Sequence, residues 1–164
     1  MHLSRMPTLT QLKFAQSAAF SAPHSSLVFA NLNDITFESE SWEPILQFLY
    51  QAQLPAITTL NASVDNCPLR LDLASFLASV PKSNTGHTIK TLMLEQLGSH
   101  FAYNFPSDTR PLGLQDLQPC MVFSNLRHIE LNAECNVDLT DIQLLTLASS
   151  WPKLEYLKIN EKWC

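Results

Sequence analysis

One arrangement of apolar and polar positions recurs six times along the chain: an apolar residue, two intervening residues, a second apolar residue, one intervening residue, and a third apolar residue. It is carried by Leu9, Leu12 and Phe14; Leu32, Ile35 and Phe37; Ile57, Leu60 and Ala62; Ile89, Leu92 and Leu94; Leu126, Ile129 and Leu131; and Leu154, Leu157 and Ile159. The alternation at its end predicts a short strand with one face buried and the other open. Six strands are therefore expected.

Subtracting the first apolar positions in turn gives intervals of 23, 25, 32, 37 and 28 residues. Leucine-rich repeats run roughly 20–29 residues, so three intervals fit and the third and fourth are stretched. The intervals contain helical signals. After the second strand, Ser41 stands at a capping position, Glu43 lies near the positive helix end, and Pro44 falls in the first turn. Ile45, Leu49 and Ala52 then form an apolar stripe, with Leu46 and Phe48 beside it. A second helix spans 71–80 and is expected to stop at Pro81, and Leu114, Leu117 and Met121 predict a short third one. A fourth opens at Asp138-Leu139-Thr140-Asp141, presents Leu144, Leu145, Ala148 and Trp151, and closes at Pro152. Residues 97–112 hold turn formers and aromatics without a period, and are expected to be a loop inserted in the array.

Alternating strands and helices predict an α/β protein. The expected architecture is an irregular leucine-rich-repeat solenoid, a parallel sheet of about six short strands with helices on its convex side. Residues 1–164 would form a single partial domain of this kind. The Asn or Cys usual eight positions after the first apolar residue is missing. Ser17, Glu40, Asp65, Leu97, Glu134 and Lys162 stand there instead, so other turn chemistry is expected to replace an asparagine ladder.

The stretches Phe123-Ser124-Asn125-Leu126-Arg127-His128-Ile129-Glu130-Leu131 and Leu139-Thr140-Asp141 through Leu147-Ala148-Ser149-Ser150-Trp151-Pro152-Lys153-Leu154-Glu155-Tyr156-Leu157 resemble the C-terminal leucine-rich-repeat-like regions of fungal F-box proteins. Leu54-Pro55-Ala56-Ile57 is similar to a turn found there as well. The resemblance implies a repeat region that holds a target protein for a cullin ubiquitin ligase, with a separate F-box docking on a Skp1-type adaptor. The first strand phrase begins at Leu9, which leaves no room for an F-box before it, and no later stretch resembles one. A fragment of such a protein is the expectation, with the adaptor a partner only where a missing F-box exists.

Composition narrows the function classes. Charged residues are only 15% of the chain and the net charge is -5. No Lys/Arg cluster is available for phosphates, so nucleic-acid binding is not expected. No window approaches the roughly 20 apolar residues of a membrane span, and the first residues lack a signal peptide's apolar run. The chain reads as intracellular, cytoplasmic or nuclear, with no membrane partner. Cys67, Cys120, Cys135 and Cys164 are far apart and read as buried free thiols.

Catalytic and metal-binding patterns are not found. His2, His24, His87, His100 and His128 are scattered without metal-ligand spacing, and three glycines cannot build a phosphate-cradling loop. A nucleophile pair of Cys120 or Cys135 with His128 is the one such arrangement to weigh, and a solvated strand residue explains His128 more simply. No catalytic residue, cofactor or metal is expected, and the chain is read as non-enzymatic. Trp42 and Trp151 are expected in the core, whereas Trp163 could be exposed.

The residues between the apolar positions are the candidate site. They are Thr10, Gln11 and Lys13; Asn33, Asp34 and Thr36; Thr58, Thr59 and Asn61; Lys90, Thr91 and Met93; Arg127, His128 and Glu130; and Glu155, Tyr156 and Lys158. In a repeat array they share the concave face, where protein partners bind. The densest mixture of charge and aromatic character is Arg127, His128, Glu130, Glu155, Tyr156 and Lys158, with Lys90 and Met93 beside it. The alternatives are a solvated face on a structural fragment without activity of its own, and, last, an enzyme with an unrecognised site.

Overall fold

The computed structural model describes residues 8–16, 27–65, 70–84, 87–96, 111–132 and 137–159. The elements are β1 (Gln11–Gln16), β2 (Leu27–Val28), β3 (Asp34–Ser39), α1 (Trp42–Gln51), β4 (Ala52–Gln53), β5 (Thr59–Val64), α2 (Arg70–Ser83), β6 (Thr91–Gln96), α3 (Leu114–Leu117), a 3-10 turn at Gln118–Val122, β7 (His128–Asn132), α4 (Asp141–Ser150) and β8 (Tyr156–Ile159). Six strands form one parallel sheet in the order β1-β3-β5-β6-β7-β8, and β2 and β4 pair separately. The protein is α/β, and each long strand lies beside the one that precedes it in the chain.

The apolar phrase sets the register. Leu12, Ile35, Leu60, Leu92, Ile129 and Leu157 lie opposite one another across the sheet, as do Phe14, Phe37, Ala62, Leu94, Leu131 and Ile159. From Leu32 to Leu131 every residue of the phrase is buried, including Ala62. At the edges, Leu12 and Phe14 are partly buried and Leu157 is exposed. The helices cover this inner face: Phe48 of α1 lies 5.4 Å from Phe37 and 5.7 Å from Phe14, and Trp42 lies 5.1 Å from Phe76 of α2.

A repeated backbone device joins the strands. The carbonyls of Thr10, Asn33, Thr58, Lys90 and Arg127 each accept two amides from the neighbouring strand's lead-in, the first at 2.8 Å and the second at 3.0–3.1 Å. Four of these lead-ins also turn over a buried residue three positions before the phrase: Leu32 donates to Phe29, Ile57 to Leu54, Leu126 to Phe123, and Leu154 to Trp151. The repeat is thus one apolar position longer than the phrase itself in these four units.

At β6 the unit is built differently. Asn84, fully buried, follows α2. Its Nδ2 donates to the Leu54 carbonyl at 2.8 Å, and its Oδ1 accepts from the Thr88 amide at 2.8 Å. Thr88 Oγ1 in turn donates to Ile57 O at 2.6 Å. One asparagine therefore ties the lead-ins of β5 and β6 together, in place of a ladder.

Several local expectations are corrected. Ser41 makes no side-chain cap; its amide donates to Ser39 Oγ at 3.4 Å. Pro81 lies inside α2 and does not end it, because the helix continues to Ser83, whose hydroxyl donates to Val80 O. The fourth helix starts at Asp141, capped by Thr140, whose Oγ1 accepts from the Gln143 amide while Gln143 Oε1 accepts from the Thr140 amide. Its buried side is Leu147 with half-buried Leu144, leading to buried Trp151; Leu145 and Ala148 are exposed. The wheel is rotated because α4 packs beside the 3-10 turn, where Trp151 Nε1 donates to Cys120 O at 3.1 Å. The third helix is a single α-turn that tightens into the 3-10 turn. Most of the expected inserted loop lies outside the described residues, but Leu112 at its end is fully buried and bridges to Val137. Trp42 is buried, and Trp163 lies outside the described residues, with Cys67, Cys135 and Cys164.

Candidate functional site

Because side chains alternate along a strand, the second and third of the residues between the apolar positions emerge on the sheet face opposite the helices, and the first stands in the lead-in at its rim. The register stacks them in rows. One row runs Gln11, Asp34, Thr59, Thr91, His128, Tyr156, and the next Lys13, Thr36, Asn61, Met93, Glu130, Lys158. The period continues beyond the phrase into Ala15, Glu38, Ser63, Glu95 and Asn132.

The six residues of the dense cluster come together on β7, β8 and their lead-ins. His128 and Tyr156, opposite each other in register, stack with ring centroids 4.3 Å apart and planes 13° from parallel. Lys158 Nζ lies 2.9 Å from Glu130 Oε1. His128 Nε2 lies 3.8 Å from Glu130 Oε2 and has no hydrogen-bond partner. Arg127 Nη1 donates to Glu155 Oε1 at 2.9 Å on the rim. Met93 stands beside Glu130 in the next strand, half-buried. Lys90 is exposed one strand over from Arg127, its carbonyl being the one that accepts the Arg127 and His128 amides.

The face has a charge pattern. At its other end Lys13 Nζ lies 2.6 Å from Glu38 Oε1. Between the two paired ends, Thr36, Thr59, Asn61, Ser63, Thr91 and Met93 carry no charge and Glu95 adds one acidic group, and Asn61 Nδ2 lies 3.5 Å from Thr36 Oγ1. The Lys13–Glu38 pair escapes a reading confined to the phrase, because Glu38 falls one position past it; carrying the two-residue alternation onward finds it. Each end presents a cation and an anion held in place by one another, a surface suited to contact and orientation.

Cys120 lies apart from this face. It is buried beneath the helices, its thiol 3.8 Å from the Leu77 carbonyl, and burial pushes it up to about 12. It therefore makes no pair with His128 and stays protonated at neutral pH. Among the described residues no three His, Cys, Asp or Glu side chains gather to hold a metal ion. An open cavity of about 450 Å³ lies on the helical side between α3 and α4, lined by Leu114, Met121, Asp138 and Gln143; the Gln143 amide oxygen there is already used in the helix cap. No helix among the described residues is long and apolar enough to cross a membrane. No family model matches the chain, and no curated protein or solved structure shows significant similarity to it.

Proposed function

We propose that the chain is a non-enzymatic protein-interaction module, an irregular leucine-rich-repeat solenoid whose open sheet face receives a target protein. The reading extends the resemblance to F-box-like proteins: the chain is the target-recognition repeat region, and a cullin ubiquitin ligase is the assembly it serves, in the cytoplasm or nucleus. A Skp1-type adaptor belongs to the proposal only where an F-box accompanies this region.

The observation that carries it is the stacked His128–Tyr156 pair beside the Glu130–Lys158 ion pair, on a face that the helices leave open. Aromatic rings are enriched at interface centres, and charged groups belong to the rim around them. A photo-crosslinking residue at Met93, in the middle of the face, tests it. A protein should be labelled from Met93 and not from Glu43 on the exposed side of α1. Charge reversal at Arg127 and Lys158 should abolish the labelling while the circular dichroism melt stays cooperative. Equal labelling from both positions, or labelling indifferent to the reversals, would overturn the reading.

A further inference from the structure

We draw no further inference here: the strongest candidate, the apolar patch of Leu157 at the open edge of the sheet with Ile142 and Leu145 on α4, carries none because nothing in the structure shows what covers it.

Discussion

The Sγ of Cys120 lies 3.8 Å from the carbonyl oxygen of Leu77, and Leu77 is four residues before Pro81, the proline inside α2. In an unbroken helix the amide of residue 81 donates to that oxygen, and proline has no N–H to give. The buried thiol, a weak donor, stands in its place. Since the Cys120 carbonyl also accepts the Trp151 indole, this one residue links α2 to the end of α4. Cys120→Ala should cost about 1–3 kcal/mol, from the lost donor and the small void. Pro81→Ala supplies an amide to Leu77 and should reduce that cost. Urea unfolding of the two single variants and the double variant checks it; strictly additive costs would show that the thiol does not serve this carbonyl.

Alkaline pH probes the same thiol. Burial raises Cys120 from 9.0 to about 12, so the unfolded chain releases its proton first. The contribution is whole below pH 9 and is lost as pH rises from about 9 toward about 12. The difference of about three pH units corresponds to an upper limit of about 4 kcal/mol. The expected outcome is a fall in stability between about pH 9 and about pH 11 that is steeper for the parent than for Cys120→Ala. Alkylation by iodoacetamide, followed on the Cys120 peptide, should be slow in the native protein and rapid in urea. Fast native labelling would contradict the burial.

Asn84 offers a test of a buried polar tie between the lead-ins of β5 and β6. Its amide group joins Leu54 and Thr88, just ahead of the Thr58 carbonyl that accepts the Lys90 and Thr91 amides. Asn84→Ala leaves the Leu54 carbonyl with the longer Ile57 amide bond alone and takes the acceptor from the part-buried Thr88 amide, and should cost about 1–3 kcal/mol. Asn84→Asp should be at least as harmful, because it replaces the donor with a buried charge. Thr88→Val, which keeps the backbone contact to Asn84, should cost less than either. Chemical unfolding midpoints of the three variants decide the order.

The sheet is legible in the sequence because burial of one strand face imposes a period of two that no other element imitates. That period places Ile35, Leu60 and Ile129 in one row without any knowledge of the helices, and it places His128 opposite Tyr156 by the same count. The helices are less legible. Residues 142, 144, 145, 147 and 148 are all apolar in α4, so composition alone does not choose a face; the position of Trp151 against Cys120 does. Pro81 reads as a stop because the thiol that compensates for it comes from residue 120, far along the chain. The turn chemistry expected in place of an asparagine ladder comes, at β6, from Asn84, outside the phrase altogether. At the site, pairing within the phrase is visible, whereas the Lys13–Glu38 contact joins two strands across a diagonal that no single repeat displays.

The two ion pairs of the candidate site should differ in strength despite equal lengths of 2.9 Å. Glu130 and Lys158 are only 18% and 23% exposed, whereas Arg127 and Glu155 are 54% and 67% exposed. The rim pair is screened by water and salt and is expected to contribute about 0–1 kcal/mol. The inner pair is less open to water, with His128 Nε2 3.8 Å from Glu130 Oε2, and removal of one partner weakens the compensation of the other where screening is poorer. Double-mutant cycles with Glu130→Gln and Lys158→Met, and with Arg127→Met and Glu155→Gln, compare the two couplings. The inner coupling should be the larger, and should change less between low salt and about 1 M salt. Equal couplings, or an inner coupling abolished by salt, would mean that the lower exposure of Glu130 and Lys158 does not strengthen their pair.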